Sequence, residues 1–166
     1  GCMIEAVILT RDGDRVASRT IAVTGPRVEL DWDDLDGLRL WSPDDPALFT
    51  LSLRLTCAGQ TDRLDTRFGC REARFTPEGF RLNGRSVKLL GLNRHQSFPY
   101  TGYAQGRRSQ ERDAEIVRHD LGCNIVRSSH YPASPWFLDR CDEIGLMVFE
   151  EIPGWQHIGG PDWKAE

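Results

Sequence analysis

The sequence predicts a two-part chain: a partial antiparallel β-sandwich over residues 1–75, then the first three β/α units of a (β/α)8 TIM barrel over residues 76–166. Three observations carry this. Short apolar stretches separated by turn residues fill the first part, and strand-like and helix-like stretches alternate in the second. Polar residues then recur where three successive strands of the second part end.

Taken in order, MIEAVILT (3–10) reads as a strand, Asp12-Gly13-Asp14 as a turn, and VASRTIAVT as a return strand stopped by Gly25-Pro26. A long acidic connection with prolines, DWDDLDGLRLWSPDDPAL, follows. LFTLSLRLTC alternates apolar and polar residues, the pattern of a strand with one buried face. These strands are too few for a whole sandwich, so more of it is expected ahead of residue 1.

Two turn cues, Pro77-Glu78-Gly79 and Asn83-Gly84, sit in FTPEGFRLNGRSVKLLGLN, and the second marks a hairpin. A strand is expected over 88–92. After it comes a helix with Ser109 as N-cap, acids in its first turn, apolar positions 114, 117 and 121, and Gly122 at its end. A strand over 124–127 follows. Ser134-Pro135 opens a second helix as N-cap and first helical residue. Phe137, Leu138, Cys141 and Ile144 form its inner stripe, Gly145 ends it, and LMVFEEI is the third strand.

A β-α-β-α-β order with short connections belongs to parallel sheets. A dinucleotide-binding fold would carry a glycine-rich turn after the first strand, and GLNRHQSFPYTGY has no G-x-G-x-x-G. A barrel instead places its working residues at the C-terminal ends of its strands. Asn93-Arg94-His95, Arg127-Ser128-Ser129-His130 and Glu150-Glu151 occupy three such ends, which favours the barrel.

Composition narrows the partners. A net charge of −4 and scattered arginines, Arg107-Arg108 being the sole adjacent pair, argue against nucleic acid. No apolar run approaches the roughly 20 residues of a membrane helix, and the start lacks a signal-peptide pattern. Five cysteines without C-x-x-C spacing disfavour a zinc site and a disulfide framework. Cys70, Cys123 and Cys141 sit in apolar patterns as small core residues, and reduced thiols lean towards a cytoplasmic protein.

Among the polar strand ends, His95 and His130 would converge on one cavity, where imidazoles can bond substrate hydroxyls. Arg127 ends a buried strand and needs an acidic partner or an open cleft. Glu150 and Glu151 are adjacent, so alternation sends them to opposite faces and only one can enter the barrel. They cannot form a converging acid/base pair, and no second convincing carboxylate is found. Phe98, Tyr100, Tyr103, Tyr131, Trp136 and Trp155 gather around these ends, as in sugar sites or in rim packing; Trp136, opening a helix, is expected in core or interface.

NIVRSSHYPASPWFLDRCDEIGLMVFEE resembles the pattern of glycoside hydrolase family 2, the β-galactosidase and β-glucuronidase family. RFGCREARFTPEGFRLNGRSVKLLGLNRHQ is similar to that family's junction between an immunoglobulin-like sandwich and the barrel, and LWSPDDPALFTLSLRL to the sandwich's last strands. The resemblance runs from about residue 38 to 160. It implies that His95 and His130 contact sugar hydroxyls and stabilise the transition state, and that Arg127 orients the nucleophilic glutamate. Asn93, Arg94, Ser129, Glu151 and Trp155 match supporting positions. The family's two catalytic glutamates lie on later barrel strands, so no catalytic residue is expected in this chain.

The family's magnesium-bearing branch has a glutamate two residues before a histidine after the third strand. Trp155 stands there before His157, so no cofactor is expected and His157 is a weak metal candidate. The implied function is a piece of a retaining β-glycosidase acting on a carbohydrate, a β-galactoside or related β-glycoside, with the isolated chain inactive. Unclosed sheet edges would favour oligomers. The competing reading is a non-catalytic carbohydrate-binding or interaction module.

Overall fold

The computed structural model describes residues 1–32, 35–153 and 159–162. The chain forms two compact units, Gly1–Ala73 and Arg74–Glu166.

The first unit is a four-stranded antiparallel sheet of β1 (Cys2–Thr10), β2 (Arg15–Val23), β3 (Phe49–Cys57) and β4 (Gln60–Phe68), ordered β2-β1-β3-β4. Alternation puts Ala6 and Ile8 on one face, both buried. What covers that face differs from the expected sandwich. The connection between β2 and β3 lays Trp32, Leu35, Leu38 and Ala47 against Ile8 and Phe49. Among the described residues of this unit there is no second sheet. The acidic connection thus supplies the apolar cover itself, its leucines and tryptophan spaced between the aspartates.

The cysteine expectation also needs correcting. Cys2 and Cys57 are disulfide-bonded, with Cα atoms 4.2 Å apart. Their separation of 55 residues hides the fact that β1 and β3 are neighbours, so the two cysteines meet at the end of one ladder. Cys123 and Cys141 are free and buried, and Cys70 is free and half-buried.

From the last residue of the first unit the chain runs into a small sheet of β5 (Ala73–Thr76), β6 (Gly79–Leu82) and β7 (Arg85–Ser86). Asn83 and Gly84 both take positive φ, 51° and 76°, as a two-residue type I′ hairpin turn requires. A parallel sheet follows, β8 (Gly91–Arg94), β9 (Ile125–Ser128) and β10 (Met147–Phe149), in the order β10-β9-β8. Helices α1 (Arg107–Glu115) and α2 (Pro135–Ile144) make the crossovers. The core between helices and sheet is Ala114, Val117, Cys123, Val126, Phe137, Cys141 and Leu146. Among the described residues the order is therefore β-α-β-α-β, three parallel strands joined by two helical crossovers.

Boundaries shift for local reasons. The N-cap of α1 is Gly106, not Ser109, and its first turn holds no acid. A π-type turn over Ile116–Asp120 follows α1. The wider turn rotates later side chains out of the 3.6-residue phase, so Leu121 is exposed although the periodicity placed it inside. Trp136 is likewise half exposed, while Phe137 beside it is buried. The first parallel strand begins at Gly91 because Asn124 caps the preceding backbone. Its Oδ1 accepts from Leu90 N–H (2.8 Å) and its Nδ2 donates to the Lys88 carbonyl (2.8 Å). The α2 cap is as expected, with Ser134 as N-cap, Pro135 next and Gly145 left-handed at φ 76°.

Candidate active site

The parallel ladder fixes which side chains can meet. Asn93, Arg127 and Phe149 occupy one row across β8, β9 and β10. A hollow of ≈ 380 Å³ lies over that row, lined by Gly91, Asn93, Ile125, Arg127 and Phe149 among others. Gly91 is required there: a Cβ would run into the Ile125 carbonyl oxygen.

Arg127 is the hub. Its Nε donates to Glu151 Oε1 at 2.7 Å and its Nη1 to Asn93 Oδ1 at 3.3 Å. Nη2 lies 2.5 Å from Glu151 Oε1 and 3.1 Å from His130 Nδ1. The other carboxylate oxygen, Glu151 Oε2, is 3.1 Å from His130 Nδ1. Glu151 is fixed from behind as well, its N–H donating to Ser128 Oγ at 3.0 Å. Partial burial pushes the Glu151 carboxyl up. Hydrogen bonds from Arg127 and His130, reinforced by charge, outweigh that and hold it below the ordinary glutamate range. His95 leaves the end of β8 and meets the His130 ring edge-on, centroids 5.3 Å apart.

The structure thus brings together Asn93, Arg127, His130, Glu151 and the ring of His95. Glu150 and Glu151 diverge as alternation demands. Glu150 turns to the start of α2, where Oε1 accepts from Ala133 N–H at 2.6 Å.

Arg94 departs from the supporting role implied for it. Alternation turns it away from Asn93 and towards the helices, where its side chain is 8% exposed. Its Nη2 donates to Asp113 Oδ2 and Gln110 Oε1, both at 2.7 Å, and its guanidinium lies 4.0 Å from the Phe137 ring centroid. It clamps β8 to α1. Ser129 is fully buried, and its N–H donates to the carbonyls of Arg94 and Arg127. Its hydroxyl, among the described residues, has no partner, and Ser128 is the serine that bonds Glu151. Trp155 and His157 lie outside the described residues.

Sequence reasoning missed Ser128 and Gln96. Gln96 accepts from Ser134 N–H at 3.1 Å and donates to the Pro132 carbonyl at 3.4 Å, tying two strand-end loops together. Its position directly after His95 was the available cue. Tyr103 and Tyr131 stack edge-on at 5.5 Å and, with Gln96 and Pro132, line a second hollow of ≈ 390 Å³. Burial pushes the Tyr131 hydroxyl up in pKa, and Tyr103 beside it adds to the effect. Tyr100 is fully exposed.

Chemically, the arrangement is a carboxylate-anchored arginine with two imidazoles on an open parallel-sheet end. It can bond hydroxyl groups and orient a further carboxylate. It holds no pair of converging carboxyls among the described residues.

Comparison with known proteins gives this geometry a family. The chain is 55% identical over 132 residues to a β-galactosidase of Thermoanaerobacterium thermosulfurigenes, covering 80% of this chain and 18% of that protein. It is 47% identical over 153 residues to a β-galactosidase of Rhizobium meliloti, covering 90% of this chain and 20% of that one. The crystal structure of Parabacteroides merdae β-glucuronidase superposes with a TM-score of 0.85 at 30% identity, over 99% of this chain and 21% of the other. The chain therefore spans about a fifth of the length of the relatives it matches. A profile described as glycosyl hydrolases family 2, TIM barrel domain, matches residues 74–161. These likenesses, on a parallel β/α unit with His95, Arg127 and His130 at its strand ends, show that the chain belongs to glycoside hydrolase family 2.

Proposed function

We propose that the chain is the part of a retaining β-glycosidase that binds and orients the sugar, with a β-galactoside or related β-glycoside as substrate. The observation that supports this reading is the Arg127–Glu151–His130 cluster with His95 against it, in which Arg127 also lines an open hollow. In the mechanism, His95 and His130 take sugar hydroxyls and steady the charge that develops in the oxocarbenium-like transition state. Arg127, held by Glu151 and Asn93, presents its guanidinium to the nucleophilic carboxylate and keeps that group ionised.

Glu151 is not itself the nucleophile on this reading, because no second carboxyl converges with it among the described residues. Retention requires two carboxyls about 5–5.5 Å apart. Glu150 and Glu151 turn to different partners and do not form that pair, and on this reading the pair belongs to a longer enzyme, as the chain spans about a fifth of the length of the relatives it matches.

The test is a comparison of this chain with the protein encoded by its whole reading frame. The longer protein is expected to hydrolyse a nitrophenyl β-galactoside with retention at the anomeric carbon, followed by proton NMR, and the 166-residue chain is expected to release no nitrophenol. His130→Ala in the longer protein should lower kcat by about 10²-fold or more, the scale of one transition-state hydrogen-bonding group. Turnover by the short chain, or inversion by the long one, refutes the proposal.

A further inference from the structure

The loop between β8 and α1 is built as a small aromatic turn. Phe98 N–H donates to the Gly102 carbonyl at 3.0 Å, Gly102 N–H returns the bond at 2.9 Å, and Ala104 N–H closes on the Thr101 carbonyl at 3.1 Å. Tyr100 at the tip sits at φ 71°, a left-handed conformation that a bulky side chain seldom takes and that recurs at ligand clamps. Tyr103, at the base of this turn, keeps a ring that is 65% exposed and sets it edge-on against Tyr131 from the loop after β9. We infer that the hollow these rings share with Gln96 and Pro132 is a second sugar subsite, seating an uncharged pyranose next to the one taken at His95. The place of that first sugar rests on the function proposed above; the chemistry of the hollow does not.

The lining decides the class of ligand. At ≈ 390 Å³ the hollow falls within the roughly 300–1,000 Å³ of small-molecule sites. No charged side chain is among its described lining residues, so a phosphate or carboxylate would lose water there without gaining a counter-charge. Its walls are two tyrosine rings and a proline, which offer apolar faces with polar tips. Its amide is only partly engaged. Gln96 Oε1 accepts from Ser134 N–H and Nε2 donates to the Pro132 carbonyl, which leaves the amide one further acceptor position and one further donor. A pyranose answers both features, with C–H bonds across its face and hydroxyls around its rim. A purely apolar group would strip water from the amide and return no hydrogen bond.

Position in the chain makes the two sites continuous. Gln96 follows His95 and Tyr131 follows His130, so two walls of the hollow stand one residue, about 3.8 Å of chain, beyond the candidate site. The two loops thus present ring pairs in succession, His95 with His130 at 5.3 Å and Tyr103 with Tyr131 at 5.5 Å. The substrate class that fits both is an oligosaccharide, not a simple glycoside.

The experiment is residue-resolved NMR of the 166-residue chain, titrated with methyl β-galactoside, lactose and phenyl β-galactoside. Methyl β-galactoside is expected to move His95 and leave the two tyrosines still. Lactose is expected to move the Gln96 side-chain amide, Tyr103 and Tyr131 together with His95. It should bind about three- to tenfold tighter, the scale of one ring contact. Tyr103→Ala should abolish that difference and Tyr103→Phe should keep it, both at an exposed position where the fold tolerates change. Equal binding of the two sugars, or a difference that survives Tyr103→Ala, overturns the second subsite and leaves the proposed function standing. Shifts at Gln96 and the tyrosines without any at His95 support the hollow as a sugar site and count against the proposed function. No shift at any of these residues overturns both. If phenyl β-galactoside gains as much as lactose while the Gln96 amide stays still, the assignment of a pyranose is overturned.

Discussion

The two sheets of this chain treat polar residues in opposite ways. In the first unit, β4 carries Asp62, Arg63, Asp65 and Arg67, and nearly its whole length is exposed. Its ion pair, Arg63 with Asp65, is a surface pair with both side chains about half exposed. In the second unit the polar residues stand at strand ends and hold one another. Arg94 is sequestered with Asp113, Gln105 and Gln110, and Arg127 is tied to Asn93, Glu151 and His130. Solvated charge guards an edge strand against pairing with other chains. Charge fixed by several partners is what can orient a ligand.

Substitutions can break or sharpen this contrast. The largest effect is expected from Phe137→Ala, which empties the centre of the second core and removes the ring beneath Arg94. The cost is about 3–5 kcal/mol, enough to abolish the cooperative unfolding of the second unit. Amide exchange should still show protection in β1 and β3. Uniform loss of protection would show that the units are not separately stable.

Gly91→Ala comes next. Its Cβ would strike the Ile125 backbone, so β8 and β9 must separate locally, at a cost of about 1–3 kcal/mol in the second unit. Denaturant unfolding measures it, and a neutral outcome would show that the ladder yields easily.

Acid gives a graded version of the same contrast. Hydrogen bonds from Arg140 and Arg112 hold Glu115 below the ordinary glutamate range, against the pull of burial, and Glu151 is also held below it. A carboxylate with a lowered folded-state pKa stabilises the fold above its unfolded value and loses that contribution as pH falls through the folded one. Between about pH 5 and pH 2 the second unit should therefore lose more stability than the first, whose lowered group, Asp65, is bound to Ser52 and Arg63 on an open surface. Tryptophan fluorescence cannot separate the units, but residue-resolved NMR through the titration can. Equal loss in both would remove the asymmetry. The smallest effect is expected at Leu64 on β4, which is 60% exposed: Leu64→Ser should change stability by no more than about 0.5 kcal/mol.

The same contrast explains what could be seen in the sequence. The parallel unit was legible because buried strands, an N-cap serine with proline, and glycine-ended helices each leave a local pattern, and Ser134-Pro135 and Gly145 hold their expected places. β4 left no such pattern. QTDRLDTRF is polar on both faces, and its pairing with β3 supplies what its composition does not. The Cys2–Cys57 bond and the clamp around Arg94 were hidden for a related reason, since both depend on which strands and helices become neighbours. At the site, alternation correctly parted Glu150 from Glu151. The preference for Ser128 over Ser129, by contrast, depended on the backbone path after β9.

The parting of those two glutamates makes the end of the third parallel strand sensitive to length. Glu150 serves the backbone ahead of α2 and Glu151 serves Arg127, one residue apart and on opposite sides. A single residue inserted after Phe149 would carry the present Glu150 to the place that now faces Arg127 and leave the Ala133 N–H without its carboxylate. Two adjacent carboxylates thus tie one short segment to two partners, and the segment keeps both only at its present length.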